Sequence, residues 1–208
     1  DRGCAWADQY KDAVTEVEIE NEGFRLFGEY FDFGQKKAVI ITPGRCESLM
    51  YSYYFAIPYQ KAGCNCLVID IRSHGNSSGT YDYIGVGEDR DVLKWAEMLH
   101  DRFGNDEVIL HGICMGANTG ILALLEKTCP DYISAIITEG CYISFYESYK
   151  QHMIYEKKPV FPVLQMVMGL IKKHTGTDVR KTRPIDLIDR VKVPFLFICG
   201  GCLIVPFV

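Results

Sequence analysis

Residues 107–125 read EVILHGICMGANTGILALL. A short apolar run enters Gly112-Ile113-Cys114-Met115-Gly116, and a segment that is apolar on nearly every side leaves it. This pattern reads as a buried strand passing straight into a buried helix through a sharp corner, G-x-C-x-G, that presents Cys114. Glycines two residues before and two residues after the cysteine let strand and helix approach closely. A side chain in that position sits at a helix N-terminus, where the dipole and the free N–H groups favour a thiolate and the negative charge that develops on attack. The alternative is a small buried Cys at a strand end. The flanking strand and helix favour a nucleophile.

Outward from the corner the same rhythm repeats. Residues 38–42, 66–70, 107–110, 133–138 and 195–199 are short, continuous apolar runs, which suits strands covered on both faces of a parallel sheet. Residues 14–20 and 24–31 instead alternate apolar and polar around Asn21-Glu22-Gly23, which predicts an antiparallel hairpin. In 85–103, Val92, Trp95, Ala96, Leu99 and Phe103 follow helical spacing, and 115–127 reads as a buried helix. Strand–helix–strand repetition implies an α/β fold: a mostly parallel, doubly wound sheet with helices on both faces, entered by an antiparallel hairpin. Residues 141–182 break the rhythm with aromatic residues, Pro159, Pro162 and the apolar-rich run 161–171. They read as a helical cap over one end of the sheet, or as a helix pair that only completes the core or a dimer contact. The expected division is 1–140 core, 141–182 cap and 183–208 return to the core.

Composition narrows the class. The 208 residues are 48% hydrophobic and 24% charged, which excludes disorder, collagen and coiled coil. Net charge is −5 with Lys and Arg scattered, so no nucleic-acid partner is expected. No apolar run approaches the ~20 residues of a membrane span, and the start, DRGCAWADQYKDA, has no signal-peptide core. The nine cysteines form no paired framework, and Cys64 and Cys66 lack a nearby His to complete a zinc site. Free thiols in a cytoplasmic protein are the expectation. The phosphate-binding pattern G-x-x-x-x-G-K-[ST] does not occur.

Two further motifs follow strands. Pro43-Gly44-Arg45-Cys46-Glu47-Ser48 follows the run 38–42, and its turn can aim the Arg45 backbone N–H at the corner. With the N–H of Met115 it would make a two-donor oxyanion hole, while the Arg45 guanidinium pairs with Glu47 or holds the loop. Asp70-Ile71-Arg72-Ser73-His74-Gly75-Asn76-Ser77-Ser78-Gly79 follows the run 66–70. It reads as scaffolding, with Asp70 and Arg72 satisfying loop backbone and the glycines making turns; His74 is not read as a catalytic base.

With these motifs the chain resembles an α/β-hydrolase of the serine aminopeptidase and lysophospholipase-like group. PGRCES with Tyr51 to Tyr54 is similar to the PGR-x-ES-x-x-K-Y stretch of bacterial lysophospholipases, and Asp70 to Gly79 is similar to the family's D-x-R-G-H-G-x-S-x-G loop. GICMGA and the later ITEGCYIS resemble bacterial hydrolases with GxSMGA elbows. The resemblance implies hydrolysis of an ester, thioester or amide through an acyl-enzyme on Cys114, with a small-molecule acyl or ester substrate and neither metal nor organic cofactor. The Cys reads as natural, as in dienelactone hydrolases with the same G-x-C-x-G, or as an introduced replacement for Ser.

The resemblance also implies a catalytic acid after the run 195–199 and a His further on. Leu203 stands at the acid's expected position, and the chain ends at Val208 before the His-bearing loop, so acid and base are not found in this chain. His100 is expected to be solvated, His111 to cap its strand end or shape the site, and His152 and His174 to be solvated on the cap, with a lid histidine as the alternative. Glu139, at the end of 133–138, is the substitute candidate for the acid. The expectation is a fragment, or a sequence with disordered parts missing, whose bare sheet edge invites a homodimer. Function is therefore expected to be ester hydrolysis, with a catalytically inactive binding or scaffold protein on the same fold as the alternative.

Overall fold

The computed structural model describes residues 2–199. Its strands are β1 Val14–Asn21, β2 Phe24–Phe31, β3 Lys37–Thr42, β4 Asn65–Ile69, β5 Glu107–Ile113, β6 Ile133–Glu139 and β7 Phe195–Ile198. They form one sheet in the order β1-β2-β4-β3-β5-β6-β7. β1 and β2 pair antiparallel, β2 joins β4 antiparallel, and every later pairing is parallel. The hairpin closes through Glu22 at φ 50° and Gly23 at φ 82°, the primed turn whose twist matches paired strands.

The continuous apolar runs are explained by burial on both faces. Ala38, Ile40, Leu67 and Ile69 pack against helices α3 (Asp89–Phe103) and α4 (Met115–Leu125). Their neighbours Val39, Ile41, Cys66 and Val68 pack against α1 (Arg2–Gln9) and α2 (Leu49–Lys61) on the opposite face. Neither α1 nor α2 was foreseen. α2, LMYSYYFAIPYQK, has hardly a polar face and contains Pro58, so it carries no amphipathic period to detect. α3 starts four residues later than the spacing suggests, because Gly85 and Gly87 hold positive φ in the turn before it and the Glu88 carboxylate accepts the Gly85 N–H. Within 141–182 lie α5 (Phe145–Tyr155) and α6 (Val163–Thr175). They share a third apolar cluster with Ile71, Ile84 and Met115, which sets them over the C-terminal ends of β4 and β5.

Arg72 corrects one sequence expectation. Its partners are carboxylates rather than loop backbone: Nε donates to Asp91 Oδ2 at 2.6 Å, and Nη2 donates to Asp91 Oδ1 at 2.7 Å and Glu22 Oε2 at 2.9 Å. The guanidinium also lies over the rings of Phe24 and Tyr83. Asp70 does serve the backbone, accepting the N–H groups of Leu49 and Asn76. Because Arg72 and Asp91 are both buried, Arg72→Met should lower stability by about 3–5 kcal/mol by orphaning the Asp91 charge. Arg72→Lys should recover only part, since an ammonium cannot make the two-pronged contact. Urea denaturation of the three chains checks both points.

Candidate active site

The corner between β5 and α4 places Cys114 at φ 50°, ψ −106°, a strained conformation for any residue but glycine. Its own N–H donates to the Glu139 carbonyl at 2.7 Å, tying the corner to β6. The flanking glycines are required by contact. A Cβ on Gly112 would stand 2.3 Å from the Gly116 carbonyl oxygen and 2.4 Å from the Ala117 nitrogen. A Cβ on Gly116 would stand 2.4 Å from the Thr42 carbonyl oxygen, so β3 and α4 touch backbone to backbone there.

This closeness brings the β3–α2 turn over the cysteine. The backbone N–H groups of Met115 and Arg45 both favour the Cys114 thiolate, so the two expected donors lie beside the same sulfur. The Arg45 guanidinium does not pair with Glu47. It meets Asp82 Oδ2 at 3.0 Å and lies over the Phe145 ring. Glu47 instead accepts the Gly44 N–H at 2.8 Å and braces the turn. The Cys46 N–H donates to His74 Nε2, whose Nδ1–H donates to the Arg72 carbonyl, so both ring nitrogens of His74 hold loop backbone.

The thiol is not poised as the helix N-terminus alone suggests. Surrounding protein raises its pKa most strongly and the Glu47 carboxylate raises it further, outweighing the two N–H groups and the Arg45 charge. Alkylation of Cys114 by iodoacetamide, followed by peptide mapping, should therefore climb with pH through and beyond the ordinary thiol range. Glu47→Gln, which keeps an acceptor for Gly44 but loses the charge, should move that rise to lower pH.

Cys114 opens into a cavity of about 610 Å³. Its walls include Met115, Tyr142, Phe145, Tyr149, Met153 and Val163. The aromatic density of 141–182 is visible in the sequence, but no periodicity marks which of its side chains form the walls. Tyr142 is buried with its hydroxyl donating to the Ile84 carbonyl at 3.1 Å, which fixes one wall.

Among the described residues no histidine hydrogen-bonds the Cys114 sulfur. His152 lines the same cavity, is exposed, and lies with Nε2 3.1 Å from Glu156 Oε1. His174 stacks on Tyr81. His100 is not solvated as expected: it stacks on Tyr132 and hydrogen-bonds the Asn105 carbonyl beyond the helix end. His111 and Glu139 lie on the α2 face of the sheet, where they line a separate cavity with Tyr59. Leu203 lies outside the described residues. No group of three or more His, Cys, Asp or Glu among the described residues could hold a metal ion. No helix there is long and apolar enough to cross a membrane.

Burial lowers the His111 pKa from 6.5 to about 4. Between those values the unfolded chain binds the proton and the folded one does not, so stability should fall as pH drops from 6.5 toward 4. The loss attributable to this residue reaches about 3 kcal/mol. His111→Phe, placed against Phe55 and Tyr59, should flatten that part of the stability–pH curve measured by urea denaturation.

A parallel sheet entered by an antiparallel hairpin, with a strained residue at the β5–α4 corner, defines the class. Residues 37–184 match the alpha/beta hydrolase fold family, and the chain belongs to it. It is 28% identical over 162 residues to the uncharacterized protein YqkD of Bacillus subtilis (strain 168), a match that takes in 77% of the chain and 53% of that protein. The chain thus spans about half the length of this curated relative. Among solved structures, a Pyrococcus furiosus esterase superposes with TM-score 0.72 at 24% identity, covering 92% of this chain and 72% of that one. An alpha-beta hydrolase from Vibrio vulnificus superposes with TM-score 0.69 at 20% identity, covering 95% of this chain and 68% of that one. Likeness at these identities is likeness of fold.

Proposed function

We propose that the protein is a hydrolase of carboxylic esters of the lysophospholipase-like kind, acting through an acyl-enzyme on Cys114. The observation that carries this reading is a residue held at φ 50° whose thiolate is favoured by the Met115 and Arg45 N–H groups beside it. In the acylation step the Cys114 thiolate attacks the ester carbonyl carbon and the oxygen takes the negative charge. The two N–H groups then turn from the sulfur to that oxygen, which they stabilise more than the ground-state carbonyl. Collapse breaks the C–O bond, and the departing alkoxide takes a proton from water. Deacylation reverses the roles: water adds to the thioester carbonyl, the C–S bond breaks, and a carboxylic acid and the thiol remain. α5 and α6 serve as the cap, and their apolar lining suits an acyl or aromatic group better than a sugar or a phosphate.

One observation favours the second reading, a binding protein on the hydrolase fold: no histidine among the described residues serves the sulfur. The two are separated by intact-mass spectrometry after incubation with p-nitrophenyl acetate. A single acetyl adduct supports the esterase. Its absence from neutral to mildly alkaline pH, with the thiol still reduced, favours the binder.

A further inference from the structure

α6 carries more apolar surface than its packing uses. At 100° per residue, Leu164, Val167, Met168 and Ile171 occupy one arc of the helix and pack into the cap's cluster. Val163, Met166 and Leu170 occupy the adjacent arc and face solvent, with Met166 63% and Leu170 54% exposed. Phe161, just before the helix, is 78% exposed. The two arcs together span about 200°, twice the stripe of an ordinary surface helix. Tyr155, at the end of α5, is 66% exposed and lines the same cavity as Val163, which extends the exposed patch.

The charge around this patch differs from that of the rest of the chain. Seven of the 22 basic residues but only three of the 27 acidic ones fall in 141–182, leaving that stretch at +4 in a chain of −5. Lys and Arg are thus not scattered in the cap. Lys157 and Lys158 precede the exposed arc of α6, and Lys173 ends it. Among the described residues Lys157 and Lys173 have no acidic partner, whereas Lys158 pairs with Glu156.

We propose that this face of the cap docks on an anionic phospholipid surface, with Phe161, Met166 and Leu170 at the acyl boundary and the lysines among the headgroups. A second copy is the poorer occupant, because a two-fold contact would set one positive cap against another. Tyr155, Lys158 and Val163 belong both to the patch and to the mouth of the Cys114 cavity, so an acyl ester can enter from the bilayer without crossing water. That last step rests on the esterase reading above; the docking surface does not.

The test is co-sedimentation of the full chain with vesicles of phosphatidylglycerol and phosphatidylcholine in equal parts, or of phosphatidylcholine alone. Binding should favour the anionic vesicles by roughly 10-fold or more and weaken with salt. Met166→Glu should cut it a further ~10-fold, while Gln165→Glu, the same charge change one residue away on the polar side of α6, should leave most of it. Both positions are exposed, so both variants should fold, which a thermal melt of each checks. Absence of vesicle binding overturns the proposal, as does equal loss in the two variants. A dimer that Met166→Glu dissociates would assign the patch to a second copy and overturn it too. Acetylation of Cys114 by soluble p-nitrophenyl acetate, unchanged in Met166→Glu, separates the two readings. Docking without acetylation sinks the esterase and leaves the surface; acetylation without docking does the reverse.

Discussion

Cys114→Ala should abolish the acetyl adduct and reduce release of p-nitrophenol to the background of an unreactive surface, a fall of at least ~10³ in the acylation rate. The expectation follows from placement. Cys114 combines an open cavity wall, a strained backbone and two N–H groups beside its sulfur. Cys46 and Cys199 are also exposed thiols, so persistence of the adduct in Cys114→Ala would transfer the chemistry to one of them. Cys114→Ser sharpens the result. A hydroxyl depends far more than a thiol on a neighbouring base to become a nucleophile, so the Ser variant should also acylate at background in this chain.

Gly116→Ala should be strongly damaging for the addition of one methyl group. Its Cβ would meet the Thr42 carbonyl oxygen at 2.4 Å and the Pro43 carbonyl oxygen at 2.8 Å, and backbone cannot rotate away as a side chain can. Forcing β3 and α4 apart should lower stability by about 3 kcal/mol. The same displacement carries the Arg45 N–H away from the sulfur, and loss of one oxyanion donor should lower acylation by a further ~10²–10³. Gly169→Ala is the matched control. Nothing lies within 4 Å of its Cβ inside α6, so it should stabilise the protein by about 0.5–1 kcal/mol. Urea midpoints for both variants, read beside acylation rates, separate the clash from a general intolerance of alanine.

The candidate site was legible where it depends on local chain geometry. G-x-C-x-G between two apolar runs names the corner, because only glycine fits where strand and helix backbones nearly touch. The nearness of the Arg45 and Met115 N–H groups to the corner followed from a turn at one strand end and the first turn of the next helix. The site's electrostatics were not legible. The helix N-terminus at Cys114 suggests a lowered pKa, but protein packed around the sulfur reverses the direction. Glu139 looked like a candidate acid from its place at a strand end, yet its register opposite Ile113 turns it toward the α2 face.

The sequence by itself determined the number and kind of the central strands, the hairpin, the glycine-flanked corner and the presence of helices within 141–182, since each is set by side-chain period or backbone conformation over a few residues. Only the tertiary structure decided that β2 joins β4 rather than β3, that Arg72 meets Asp91 and Glu22, that Arg45 meets Asp82, and that an apolar α2 covers one face. The strand pairing and the ion pairs among those facts join groups 19 or more residues apart. Local periodicity states how much of an element is buried. It does not state which distant surface does the burying, and that choice falls to packing of the whole chain.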